Sequence, residues 1–229
     1  MADNLARVLA DAIAPDPTRP LLTWYDDATG ERTELSGATC ANWVAKTANL
    51  LVDGVGLAPG DTAGVLLPPH WQTAAVLLGC WSAGLTVADP PDDVDVLFVA
   101  TGRLAEAEDA SAGDRYLLAL DPFARPLREV PPGYADFAAE VRTHGDHFGA
   151  PPPGGPDQAG LAARAVARAA DLGLTPGTRV LIDVDRYPDP VDWLLAPLTA
   201  SASTVLVAHA DASRLGARAV AERTTLTLP

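Results

Sequence analysis

The sequence is poor in cations, in sulfur and in long apolar runs. Only 16 of its 229 residues are Lys or Arg against 30 Asp or Glu, a formal net charge of −14. Nucleic-acid binding rests on basic side chains that neutralise phosphates, and adhesion to anionic lipid rests on the same charge, so neither partner is expected. The two cysteines, Cys40 and Cys80, fall in predicted helices among apolar neighbours, where reduced buried thiols are expected rather than a disulfide. The longest apolar stretch, Ala74–Leu85, is broken by Gly79, Ser82 and Gly84 and falls short of a membrane span. The opening MADNLARVLADAI lacks the basic start and unbroken apolar run of a signal peptide, which points to the cytoplasm. There is no Gly-x-Ser-x-Gly elbow, and no Ser, His and acid grouping falls on strand ends.

What the chain does contain is a repeat. Leu57–Pro90 reads as turn, buried strand, Pro-rich loop, amphipathic helix, turn and second strand, and Leu174–Asp211 restates that order. Each copy follows a helix, Ala41–Asp53 or Gln158–Leu172, that ends at a glycine, Gly54 or Gly173. Pro59-Gly60 and Pro176-Gly177 each predict a type II turn, in which Pro fixes φ and Gly supplies the positive φ that follows. Before the first copy, Asp3–Ile13 is a helix, and Leu21–Tyr25 and Glu31–Ser36 form a β-hairpin with Gly30 in its turn. After it, Asp95–Thr101 and Tyr116–Leu120 are strands, Gly102–Asp109 an exposed acidic helix, and Tyr134–Arg142 a short helix with Phe137 and Val141 inward. A helix, Ala212–Arg223, and a strand, Thr224–Leu228, close the chain.

Strands alternating with helices predict an α/β fold, a layered βαβ architecture with two pseudo-repeated lobes. Residues 1–142 are expected to form the first lobe, with the N-terminal helix, the hairpin and the first repeat; 143–157 a Pro/Gly linker; and 158–229 the second lobe.

The stretch from Thr23 to Pro90 resembles the opening of the adenylate-forming enzymes: acyl-CoA synthetases, luciferases and peptide synthetase adenylation domains. The matching positions are Gly30, Leu35, Pro59–Asp61, Leu67–Pro68, Gly84 and Pro90, and the likeness continues through Leu118–Pro122 and Leu174–Leu206 to the closing ERTTLTLP. It implies the N-terminal portion of that fold, truncated and degenerate. In the family the loop joining the halves is rich in Ser, Thr and Gly, ends in Pro-Lys-Gly and holds the ATP phosphates. Here it is GAPPPGGPDQAG, with no Ser, Thr or Lys between Gly149 and Gly160. Its prolines lack N–H donors and Asp157 adds negative charge, which leaves Gly154 and Gly155 as a degenerate phosphate loop. The family's aromatic-Gly-x-Thr-Glu motif, ribose-binding Asp, hinge and C-terminal catalytic Lys would lie beyond Pro229, which is read as the natural terminus. The resemblance therefore implies a non-catalytic, cofactor-free homologue that serves as a ligand-binding or regulatory module. The alternative is an interaction protein or homodimer using the flank that the rest of the family domain covers, and a third reading is a residual enzyme of unknown chemistry.

Ligands of open α/β sheets bind beyond the carboxyl ends of the strands, so the loops Leu67–Trp71, Val184–Asp189 and Ala208–Asp211 are the ones to inspect. They offer His70, Trp71, Asp185, Tyr187, Asp189 and His209 as a crevice for a small acyl or nucleotide ligand. The same positions are also explained as turn residues and as aromatics packed against prolines. In the family this second-half loop carries an aromatic-His pair, and here only Tyr187 offers the aromatic. His144 and His147, with Asp146 between them, could begin a metal site, but no third ligand cluster is near and no metal is expected. Asp183, Asp185, Asp189 and Asp192 read as a solvated rim, and Trp24, Trp43, Trp81 and Trp193 as core packing.

Overall fold

A computed structural model describes residues 5–149, 152 and 156–228. Helix α1 (Leu5–Ile13) gives way to a Pro-rich turn, and β1 (Pro20–Asp26) and β2 (Glu31–Ser36) form the expected antiparallel hairpin, with Gly30 at φ +79°. Helix α2 (Gly37–Asn49) starts on Ser36, whose hydroxyl accepts from the Thr39 N–H at 3.2 Å. It widens into a π turn, Leu50–Val55, and stops at Gly56, φ +88°, rather than at Gly54. Gly54 lies inside the wider turn and makes room for the His144 ring, which a Cβ there would meet at 3.1 Å.

Strand β3 (Thr62–Leu66), helix α3 (Trp71–Ser82) and strand β4 (Thr86–Ala88) are the first βαβ unit. Strand β5 (Asp93–Ala100), a 3-10 segment over Thr101–Ala107 and strand β6 (Ser111–Leu118) follow. The helix expected over Tyr134–Arg142 begins as a strand, β7 (Ala135–Asp136), paired with β6. Only Phe137–Val141 is helical (α4), capped by the Asp136 carboxylate on the Ala139 N–H at 2.9 Å. The second half contains α5 (Pro156–Asp171), β8 (Arg179–Asp183), a π turn (Val191–Leu195), α6 (Ala196–Thr199), β9 (Ser203–Ala208), α7 (Ala212–Ala221) and β10 (Leu226–Leu228). The Trp-bearing helix expected between β8 and β9 forms as one continuous run, Val191–Thr199, whose first turn is wide. The Ala196 N–H reaches back to the Val191 carbonyl, and Pro197 has no N–H to continue the ladder. Both Pro-Gly turns form: the Asp61 N–H donates to the Ala58 carbonyl at 3.1 Å and the Thr178 N–H to Thr175 at 2.9 Å.

The strands make two sheets, ordered β4-β3-β5-β6-β7 and β10-β8-β9-β1-β2, with every pairing parallel except that of the hairpin. Strand β5 flanks β3 opposite β4, and β10 flanks β8 opposite β9, so the repeat extends to three strands in each half. The hairpin, which sequence order places with the first half, instead joins the second sheet, where Trp24 of β1 stands opposite Leu206 of β9.

Helices fill the space between the sheets. All twelve residues of α3 are buried, beyond the Val76, Leu77, Cys80 and Trp81 face that periodicity predicts. Its Ala74, Leu77, Leu78 and Trp81 pack with Trp24, Val180, Ile182 and Leu206 of one sheet. Its Val76 and Cys80 pack with Val96, Phe98 and Tyr116 of the other. Residues alternate along β5 as the pleat requires: Val96 and Phe98 face this interior, while Leu97 and Val99 face the outer cluster with Ala107. On the far side of the second sheet, Leu181, Val205 and Val207 meet Leu215 of α7.

Residues 143–149, read from sequence as part of a linker, are fastened to α2. Lys46 Nζ donates to the His144 carbonyl at 2.6 Å and pairs with Asp146 at 2.9 Å, and Asn49 Nδ2 donates to the carbonyls of Gly145 and His147, each at 2.9 Å. Cys40 and Cys80 are buried free thiols, and burial pushes each up to about 12. Among the described residues no helix is long and apolar enough to cross a membrane.

Candidate functional site

A groove of about 1090 Å³ lies between the two sheets. Leu77 and Trp81 of α3 and Val87 of β4 line it on one side, Leu161 and Arg164 of α5 and the Pro188–Pro190 loop on the other. A second opening of about 290 Å³ shares Leu77, Val87, Pro188 and Pro190 and continues past the carboxyl end of β3 to Arg103. The groove runs along β4 from Thr86 to Asp89, past its carboxyl end, and the smaller opening reaches the carboxyl end of β3, the side on which ligands of parallel sheets bind. Its second-half wall is held in place by local bonds. Trp193 Nε1 donates to the Pro188 carbonyl at 3.1 Å, Asp189 accepts from the Val191 N–H at 2.8 Å, and two ion pairs tie the loop to α5: Arg164–Asp189 at 3.0 Å and Arg168–Asp192 at 2.6 Å.

The groove carries more acid than base. Asp89, Asp157 and Asp189 line it against Arg164, which is engaged by Asp189, and in the smaller opening Arg103 is engaged by Glu106 at 2.5 Å. Asp89 has no hydrogen-bond or ion-pair partner among the described residues, and Asp157 receives one long contact, from the Thr86 hydroxyl at 3.4 Å. Apolar walls with an excess of carboxylates over guanidinium groups suit an apolar ligand and oppose a chain of phosphates.

The crevice residues expected from the sequence are dispersed. His70 and Trp71 are in the core, because α3 is enclosed by both sheets. His70 caps α3, its Nδ1 accepting from the Gln72 N–H at 3.2 Å, and its ring meets Trp24 edge-on at 4.7 Å. Burial pushes its pKa down to about 3, against the charge of Asp26. Tyr187 is half-buried against the same core, and Asp189 alone of the set reaches the groove. Asp185 and His209 do meet, at the carboxyl ends of β8 and β9. Asp185 accepts the His209 N–H at 2.6 Å, and His209 Nδ1 lies 2.9 Å from Asp26 at the end of β1. His209 holds φ +49°, in the left-handed region. The hydrogen bond to Asp26 raises its pKa above the usual imidazole value. This pair lies outside the groove lining.

His144 is packed over Gly54 and His147 lends its backbone carbonyl to Asn49. Among the described residues no group of three or more His, Cys, Asp or Glu could hold a metal ion. Gly154 and Gly155 lie outside the described residues. Sequence reasoning named Asp157 only as a charge in the joining loop and missed Asp89, Leu161 and Arg164. Asp89 follows β4 and the strand-end rule would have found it, whereas α5 enters the crevice sideways and has no local signal.

No family model matches the chain. In fold it resembles an acyl-CoA synthetase from Brucella canis (TM-score 0.73, 19% identity), covering 97% of this chain and 46% of that one. It also resembles acetoacetyl-CoA synthetase from Streptomyces lividans (TM-score 0.72, 18% identity), covering 98% and 42%. A third likeness is to the N-terminal domain of FACL13 from Mycobacterium tuberculosis (TM-score 0.67, 14% identity), covering 98% and 62%. The chain therefore spans between 42 and 62% of the length of these solved structures, and the fold is that of the N-terminal portion of adenylate-forming acyl-CoA synthetases. In sequence it is 43% identical over 233 residues to the Mycobacterium tuberculosis (strain ATCC 25618 / H37Rv) "TIGR03089 family protein", covering 96% of each. With that identity along nearly the whole of both chains, and with the fold agreeing from the hairpin to β10, the chain belongs to the TIGR03089 family.

Proposed function

We propose that this chain is a non-catalytic binding module on the acyl-CoA synthetase fold, which holds an apolar ligand in the inter-sheet crevice, in the cytoplasm, without adenylating it. The observation that carries this reading is the groove: a cavity at the strand ends with apolar walls, whose guanidinium groups are committed to carboxylates. The sequence joining the halves, which offers no Ser, Thr or Lys between Gly149 and Gly160, supports the absence of phosphate chemistry. The test is thermal unfolding with Mg-ATP, AMP, CoA and ligands bearing an apolar chain, alongside pyrophosphate exchange with carboxylic acids. A ligand at about a hundred times its Kd adds roughly 2.7 kcal/mol, which raises the midpoint of a chain this size by about 5–10 °C. A shift of that size is expected with apolar-chain ligands and none with Mg-ATP or AMP. Nucleotide shifts together with pyrophosphate exchange would overturn the reading.

A second reading, a homodimer or protein partner, is supported by β10, whose outer edge pairs with no strand among the described residues. A monomer whose mass by light scattering is independent of concentration would remove the homodimer.

A further inference from the structure

We propose that a cleft at the amino ends of β1, β8 and β9 binds a small carboxylic acid as its carboxylate, with oxygens accepting from Ser203 Oγ and Arg179 Nη1. The cleft shares no lining residue with the inter-sheet groove. Two openings, of about 290 and 370 Å³, adjoin there, and Arg19, Pro20, Gly177 and Ser203 line both. The smaller is walled by Ile13, Leu21 and Ala202, and the larger holds Arg19, Arg179 and Arg223 against Glu34 and Glu222. The anchoring groups are buried and lie side by side: Ser203 is 8% exposed, the Arg179 side chain 15%, and the two residues stand opposite each other in the β8–β9 register. Three of the five guanidinium N–H groups of Arg179 are engaged. Nε donates to the Glu222 carbonyl at 2.9 Å, and Nη2 to Thr23 Oγ1 at 2.9 Å and to Glu222 Oε2 at 2.6 Å. Nη1 reaches only Ser203 Oγ, at 3.5 Å, the outer limit of a hydrogen bond, and the Ser203 O–H has no acceptor among the described residues. Buried donors without acceptors are costly, so this pair calls for an acceptor from outside the chain.

The charges around the pair favour one negative charge and no more. Glu34 and Glu222 are balanced by Arg179 and by Arg32, which reaches them from outside the lining at 2.7 and 3.1 Å. Arg19 and Arg223 make no side-chain hydrogen bond or ion pair among the described residues, and their charge is left over. Asp16 lines the apolar opening, bonded to the Thr18 hydroxyl at 2.6 Å, and it acts on Arg19 through space. With these carboxylates close by and a net charge of −14 on the whole chain, a multiply charged phosphate is opposed. A carboxylate fits better: guanidinium and hydroxyl donors match its two oxygens, and the wall of Ile13, Leu21 and Ala202 takes a short apolar body. An alcohol of the same length gains no charge, and an amine meets the guanidinium groups. An ion pair at about 4 Å in water is worth about a fivefold change in affinity, so Arg19 and Arg223 together give about twentyfold.

The experiment is an NMR titration of the full chain with butanoate, butan-1-ol, butylamine and inorganic phosphate, following the backbone amides of Gly177 and Ser203 and the Arg179 Nε–H. Butanoate is expected to move these resonances and to bind at least about tenfold more tightly than butan-1-ol, with butylamine and phosphate weaker still. The double variant Arg19→Gln/Arg223→Gln changes two exposed side chains and should weaken butanoate by about twentyfold. Ser203→Ala should weaken it by about tenfold while the unfolding midpoint holds, because within the chain only the 3.5 Å contact is lost. Leu161→Trp, placed in the inter-sheet groove, should leave butanoate binding unchanged. Equal affinities for butanoate and butan-1-ol, or tighter binding of phosphate, would overturn the carboxylate assignment. Resonances of Gly177 and Ser203 that stay in place at every butanoate concentration, or full affinity in the double variant, would overturn the site.

Discussion

Placing alanine at Gly79 tests the packing that sets the floor of the groove. Gly79 lies in α3, between Leu77 and Trp81, and faces α2. A Cβ there would stand 2.5 Å from Thr47 Cγ2 and 2.6 Å from Thr47 Cβ. Two effects oppose each other. Alanine is favoured over glycine in a helix interior by about 1 kcal/mol, through backbone entropy. Against that, overpacking a filled core costs about 1–3 kcal/mol, and Thr47 has little freedom to yield. It is fully buried and β-branched, and its hydroxyl is bonded to the Trp43 carbonyl at 2.9 Å. Packing wins, so Gly79→Ala should destabilise by about 1–2 kcal/mol net. For a chain of this length each kcal/mol lowers the midpoint by about 2–4 °C. Gly216→Ala is the control. Gly216 lies in α7, where an added Cβ would meet nothing within 4 Å, so the same substitution should raise the midpoint by about 2–4 °C. Scanning calorimetry of both variants decides it, and shifts of the same sign would refute the reasoning.

Two further predictions concern charge. Asp27 is nearly enclosed and accepts from Arg218 at 2.6 Å and from the Asp211 N–H at 2.9 Å; the Arg218 bonds, outweighing burial, hold its carboxyl below the usual range. Asp27→Asn leaves Arg218 buried without its anion and should cost about 3–5 kcal/mol in denaturant unfolding. Because the folded pKa is depressed, this stability is present above about pH 4 and lost as pH falls through the folded value, so the gap between wild type and variant should close in acid. A gap unchanged down to about pH 2 would refute the assignment. His70 is neutral in the fold, with its pKa pushed down to about 3, while the unfolded chain takes up a proton below about 6.5. Stability is therefore full above that pH and falls below it, by about 2 kcal/mol between about pH 6.5 and 5. His70→Asn keeps a capping side chain on the Gln72 N–H but removes the titration, so its stability should fall less steeply with acid; parallel slopes would refute the buried neutral imidazole.

Much of the scaffold was legible because it is written in local chemistry. Pro59-Gly60 and Pro176-Gly177 dictate their turns through their own dihedral limits, and both form. The repeated strand, loop, helix and strand was visible in apolar periodicity, and the likeness to the adenylate-forming fold rested on those same positions. The candidate site was less legible. His70 and Trp71 follow a strand and read as loop residues at a ligand-binding edge, yet they are core because α3 is enclosed on every side. The groove itself needs α5 and the Pro188–Pro190 loop beside β4, segments that come from the other half of the chain.

The sequence by itself determined the elements, their turns and the parallel βαβ connectivity, since each depends on neighbours a few residues away. Only the tertiary structure decided that the hairpin completes the second sheet and that β4, α5 and the Pro188–Pro190 loop line one groove. A strand's pattern tells that its faces are buried but not which edge it will pair with, and that choice is made by packing between distant segments.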